Sequence, residues 1–135
     1  AQMAWFKIDS TQPLTGFELF GAVDGSRLAS FAGGGGNGAK SGVFAKIEKH
    51  GWTGIAFVNT EAGAASVALT AFADNGTAVA TQALTVGGYG KVVDNPEALF
   101  AQDIGSATYV TYSSDRNVVG FQLNASADGT MLDGL

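Results

Sequence analysis

Cysteine is absent from this 135-residue chain, proline occurs only twice and histidine once. Without thiols, neither disulfides nor thiolate metal sites hold the fold, and the redox compartment leaves no trace in the composition. The lone His50 rules out multi-histidine zinc centres and leaves any Ser-His-Asp arrangement resting on one residue in an expected turn. Charge is sparse as well: seven Lys+Arg against twelve Asp+Glu, net −5. The acids are scattered and no basic stripe exists, which argues against nucleic acid and anionic membrane as partners. No apolar run approaches the roughly 18 residues that would span a membrane. The chain opens on Ala1-Gln2 instead of methionine, as a processed or cut start would.

What the chain does have is glycine, 20 residues of it, and hydrophobic residues at 46%. With abundant Val, Thr, Phe and Ala, this is the profile of short strands joined by tight turns. Period-two alternation predicts strands near residues 5–9, 15–23, 27–31, 42–49, 52–60, 66–74, 78–86, 91–93, 108–114, 118–125 and 131–134. Asp24-Gly25, Asn75-Gly76 and Asp128-Gly129 supply residues that tolerate positive φ in hairpin turns, and His50-Gly51 is expected to act likewise. In "DNPEALFAQD", Asp94 or Asn95 can cap and Pro96 suits the first helical position, so one short helix is expected over 96–101. The fold class is therefore all-β: a two-sheet antiparallel β-sandwich, immunoglobulin-like or jelly-roll-like, with one short helix. Phe17, Leu19, Phe57, Leu69, Phe121 and Leu123 are its expected core, and Trp52 is expected to plug one end.

The chain also repeats itself. "LTGFELFGAVDGSRLASF" near the start and "VVGFQLNASADGTMLDGL" at the end share a skeleton, and an offset of 104 aligns 5–31 with 109–135 without a gap. Ser10, Gly16, Phe17, Leu19, Asp24, Gly25 and Leu28 recur as Ser114, Gly120, Phe121, Leu123, Asp128, Gly129 and Leu132. A three-strand meander at 1–31 is thus expected to recur at 105–135. The "AGGGGNGAKSG" stretch over 32–42 has the composition of a linker, and 43–135 forms the sandwich unit. Two organisations produce this pattern: a tandem array cut out of phase, or one pseudo-symmetric domain over 1–135. Both require Gly25 and Gly129 to occupy equivalent left-handed positions.

Chemistry-bearing constellations are few. The glycine run lacks the G-K-[ST] ending of a phosphate loop, because Ala39 precedes Lys40-Ser41, and no G-x-S-x-G elbow occurs. Glu18, Glu48, Glu61 and Glu97 show no pairing that suggests glycoside hydrolysis. Asp74, Asn75, Asp94 and Asp103 offer calcium-type oxygens but not the dense D-x-D-x-D spacing, and turn formation accounts for them. No cofactor is implied. Aromatics are the remaining signal: if Phe17 and Leu19 point inward, then Trp5, Glu18 and Phe20, with their counterparts Tyr109, Gln122 and Asn124, fall outward as a binding or assembly surface.

The stretches "GWTGIAFVNT", "VALTAFADNGTAVATQALTV" and "YVTYSSDRNVVGFQLN" resemble a tandem immunoglobulin-like β-sandwich repeat of bacterial secreted and surface proteins, over 51–135 and again over 5–31. The resemblance implies an extracellular or cell-surface module used in arrays, and it transfers no catalytic residue. The expected function is non-enzymatic: a structural or adhesive module whose partners are other copies or adjacent repeats. The alternative is a carbohydrate-binding module that stacks glycan on exposed aromatics.

Overall fold

The computed structural model of the chain describes residues 5–32 and 36–135. Among them are β1 (Phe17–Gly21), β2 (Leu28–Ala32), β3 (Ala39–Phe44), β4 (Gly51–Val58), β5 (Ala65–Phe72), β6 (Ala78–Val86), β7 (Lys91–Asp94), α1 (Pro96–Phe100), β8 (Tyr109–Ser126) and β9 (Leu132–Gly134). All the strand pairs are antiparallel. The all-β expectation holds, and α1 falls where it was expected. Asn95 caps it, its Oδ1 accepting from the Ala98 amide at 2.8 Å, and Pro96 opens the first turn.

One strand organises the rest. The expected strands at 108–114 and 118–125 are a single 18-residue strand, β8, which serves two sheets. Its first half lies between β5 and β3, in the order β6-β5-β8-β3; its second half lies between β4 and β9, in the order β7-β4-β8-β9. A strand that leaves one layer for another makes the corner of a β-sandwich, and the first sheet curls toward a half-barrel. The inner faces meet in an aromatic cluster of Phe44, Phe57 and Tyr112, with ring centroids 5.2 to 5.8 Å apart. Val67, Leu69 and Ala71 of β5 join it on alternate positions, as the pleat requires.

The duplicated segment folds as two hairpins of the same register. Gly21 pairs with Leu28, Phe20 with Ala29 and Leu19 with Ser30; 104 residues later Ala125 pairs with Leu132, Asn124 with Asp133 and Leu123 with Gly134. The backbones of the two turns match. Gly25 and Gly129 have φ of 72° and 65°, and each amide donates at 2.9 Å to the carbonyl three residues back. Asp24 and Asp128 each accept from the amide two residues on, at 3.0 Å.

One difference between the turns is a built-in experiment. Ser126 stands where the first copy has Ala22, and its hydroxyl donates to Asp128 Oδ1 at 2.6 Å beside the Thr130 hydroxyl at 2.8 Å. Asp24 receives only the amide and hydroxyl of Ser26. Hydrogen bonds from Ser126 and Thr130 lower the Asp128 carboxyl to about 2, and those from Ser26 lower Asp24 as well. Both folded-state values lie below the unfolded ones, so the turn interactions are complete above about pH 4 and fade as pH falls toward 2. In an NMR acid titration Asp128 is expected to be the last of the two to protonate, and Ser126→Ala to move it toward Asp24. Equal titration of both carboxyls before the substitution would show that the serine contributes nothing.

Several expectations are corrected. Residues 5–9 form no strand, and Phe6 and Ile8 are exposed. Within the stretch expected as a linker, residues 33–35 lie outside the described residues, while Ala39–Phe44 is β3. Gly38 is pressed against β8 at φ +84, where a Cβ would lie 2.3 Å from the Val118 carbonyl oxygen. Gly51 is a strand residue, not a positive-φ turn residue; a Cβ there would lie 1.9 Å from the Ala125 carbonyl oxygen. Trp52 does not plug the core: it is 46% exposed on the outer face, its ring lying across Gly54.

The largest correction concerns sidedness. Phe57 and Leu69 are core, but Phe17 and Leu19 are 72% and 63% exposed, and Phe121 and Leu123 lie half-buried on the outer face. Gln122 and Asn124, assigned outward, are interior at 0% and 3% exposure. Even-numbered residues are the buried ones in both halves of β8, Val110 and Tyr112 in the first and Val118, Gln122 and Asn124 in the second, while Arg116 at the crossing between the sheets is exposed. On the outward face of its second half, Phe121 packs against Phe20 of the β1–β2 hairpin instead of against the core.

Candidate interaction surface

The residues expected to form one surface are dispersed. Trp5 is half-buried and its indole N–H donates to the Tyr89 carbonyl at 3.2 Å, tying the N-terminal segment to the loop between β6 and β7. Phe20 packs edge-on against Phe121, centroids 5.7 Å apart, which lays the first hairpin over the outer face of the second. Tyr109 stacks on Phe72 at 5.2 Å on the outer face of the other sheet. Glu18 is exposed on β1. The three aromatics thus contact three different neighbours and build no common stacking platform.

Gln122 and Asn124 instead form an interior polar cluster that sequence reasoning missed. The Thr53 hydroxyl donates to Asn124 Oδ1 at 2.7 Å, and Gln122 Nε2 donates to the same oxygen at 3.0 Å and to the Lys46 carbonyl. Thr53 Oγ1 also accepts from the Glu48 amide at 2.8 Å, so the cluster holds the segment between β3 and β4 against the sheet. Gln122 Oε1 and Asn124 Nδ2 have no protein partner. Beside Gln122 lies a half-open cavity of about 240 Å³, walled by Gly42, Phe44, Tyr112, Gly120 and Leu135. Burial pushes the Tyr112 phenol up. Strand continuity, which only the structure supplies, carries the parity of Val110 and Tyr112 through Ser114–Asn117 and turns both amides inward.

The oxygen-bearing turn residues are occupied locally. Asn75 Oδ1 accepts from the Thr77 amide at 3.0 Å, Asp94 Oδ1 from Asn95 at 2.9 Å and Asp103 Oδ1 from Gly105 at 2.7 Å. Asp74 is exposed in the same turn as Asn75. Among the described residues no three His, Cys, Asp or Glu side chains gather as a metal-binding group. His50 is exposed ahead of β4, its amide donating to Glu48 Oε1 at 3.4 Å.

The surviving surface feature is apolar and concentrated. Phe6, Ile8, Leu14, Phe17, Leu19, Val23 and Leu28, all before residue 32, are exposed, and Phe17, Leu19 and Leu28 share one face of the first hairpin. Their counterparts Phe121, Leu123 and Leu132 are half-buried in the second hairpin. The positions that the repeat preserves are therefore outer-face positions, filled in one copy and bare in the other. Between β2 and β9 runs an open groove of about 280 Å³, lined by Leu19, Leu28, Leu132 and their neighbours. No helix among the described residues is long and apolar enough to cross a membrane. Comparison with protein-family models, with curated proteins and with solved structures gives no match for this chain.

Proposed function

We propose that this chain is a non-enzymatic, extracellular or cell-surface β-module of the tandem-repeat kind, whose work is association with other copies or adjacent repeats. One observation carries the reading: the first hairpin leaves Phe17 72%, Leu19 63% and Leu28 68% exposed, on the face that is covered in its duplicate. Contiguous apolar surface of this sort marks a place where another macromolecule sits. The shifted carboxyls support the non-enzymatic part, because each has a structural cause. Turn hydrogen bonds lower Asp24 and Asp128, and the 2.6 Å ion pair between Lys46 and Glu48 lowers Glu48.

Light scattering of the full chain over a concentration series tests the reading. The mass is expected to rise above the 13.7 kDa of one chain as concentration increases. A mass that stays at one chain up to millimolar concentration would sink it.

A further inference from the structure

The two hairpins share a register, yet they differ at one edge. In the second, Gln122 and Leu135 exchange both backbone hydrogen bonds, at 2.9 and 2.8 Å, so even-numbered residues of β8 bond toward β9. Antiparallel ladders alternate, so Phe121, Leu123 and Ala125 turn their N–H and C=O groups the other way, toward β4, which pairs with them. In the first hairpin the Ala22 amide donates to the Arg27 carbonyl at 3.1 Å, which sets the same alternation. Phe17, Leu19 and Gly21 therefore aim their backbone groups at an edge that no described strand occupies.

This edge also has little of the usual protection, with Glu18 as its one charge. Other outer strands present polar or charged residues, Thr81 and Thr85 on β6, Lys91 and Asp94 on β7, and Lys40 on β3. Such residues discourage edge-to-edge pairing, whereas β1 presents Phe17 and Leu19. Resting on the association reading above, we propose that the β1 edges of two copies pair antiparallel about a two-fold axis through Leu19, joining two hairpins into one four-stranded sheet. Leu19 then faces Leu19 of the second copy, and Phe17 faces Gly21, where its ring covers bare backbone. Glu18, the only charge on β1, falls opposite Phe20, so no like charges oppose one another. The exposed face of Phe17, Leu19 and Leu28 becomes continuous across the axis.

Two variants of the full chain test the register. Leu19→Cys is expected to give a covalent dimer with a short rigid bismaleimide. Val23→Cys, whose two copies would lie about 26 Å apart at roughly 3.3 Å per residue, is expected to give none. Leu19→Lys sets two ammonium groups on the axis and is expected to weaken self-association at least ten-fold with an unchanged circular dichroism spectrum. Mixing it with Leu19→Glu is expected to restore dimers. If the unmodified chain associates but Leu19→Lys associates equally well, or Val23→Cys cross-links as fully as Leu19→Cys, this pairing is wrong while the association reading stands. A chain that is monomeric throughout overturns both.

Discussion

Replacing Phe57 with alanine is expected to cost the fold about 3–5 kcal/mol, the range for emptying a packed aromatic site. Phe57 is fully buried and meets Phe44 and Tyr112 edge-on, at 5.6 and 5.2 Å, where the two sheets face each other. Its cross-strand partner is Gly120, whose surface is already filled: a Cβ there would lie 2.9 Å from the Phe44 ring. The surrounding rings cannot collapse into the void without leaving β8 bare, so the cavity term persists. A domain of ordinary stability has about 5–15 kcal/mol in all, so the variant is expected to sit close to its unfolding transition. Urea denaturation measures it, with exposed Met131→Ala as the reference, expected within about 0.5 kcal/mol of the parent. Equal midpoints for the two variants would mean that the sheets do not meet at Phe57.

Asn59→Ala is expected to cost about 3 kcal/mol for a different reason. Asn59 is fully buried, and its Nδ2 donates to the carbonyls of Gly63, Val86 and Gly87 at 2.7, 3.1 and 3.2 Å. Its Oδ1 accepts from the Glu61 amide at 3.0 Å, and its own amide donates to Gly90 at 3.0 Å. One side chain thus joins the end of β4, the turn before β5 and the exit of β6. Alanine leaves buried carbonyls and an amide without partners, each costing about 1–3 kcal/mol unless water enters. Asn59→Asp is expected to be worse at neutral pH, because a carboxylate facing carbonyls must be desolvated. That loss grows as pH rises above about 4, since burial raises the folded-state value of the new carboxyl. Thermal melts at pH 4 and pH 7 check the sign. A loss under about 1 kcal/mol for Asn59→Ala would show that water replaces the side chain without penalty.

These residues also give physical content to two phrases of the sequence. In "TGIAFVN" the Ile55 and Phe57 alternation supplies the inner face of β4, and the closing asparagine is Asn59 itself. In "SDRNVVGF", Asp115 Oδ1 accepts from the Ser66 amide at 2.8 Å, and Arg116 donates to the Ala64 carbonyl at 3.1 Å and pairs with Glu61 at 3.1 Å. Those contacts clamp β8 at the point where it passes from one sheet to the other. Val118 is buried just beyond, and Gly120 makes room for the rings of Phe44 and Tyr112.

From sequence alone, what could be known was local. Strand class, the α1 cap and the paired Asp-Gly turns depend on backbone propensities and hydrogen bonds within a few residues, and these were legible in the order of the residues. The duplicated register was legible too, because identical turns impose identical pairing. Which side of a strand faces the core was not. Alternation distinguishes two faces but does not label them, and in β8 the outward Phe121 finds its partner in Phe20, a hairpin residue more than a hundred positions away in the chain. The polar face, with Gln122 and Asn124, turns inward because Thr53 and the Lys46 carbonyl are there to bond it. Tertiary structure alone decided that β8 is one strand shared by two sheets, since residues 114–117 are held by distant partners: Val67 pairs with Ser114, the Ser66 amide donates to Asp115 and Arg116 donates to the Ala64 carbonyl. It alone decided, too, that one of two matching hairpins has its edge filled while the other has no strand beside it among the described residues, because β4 reaches only one of them.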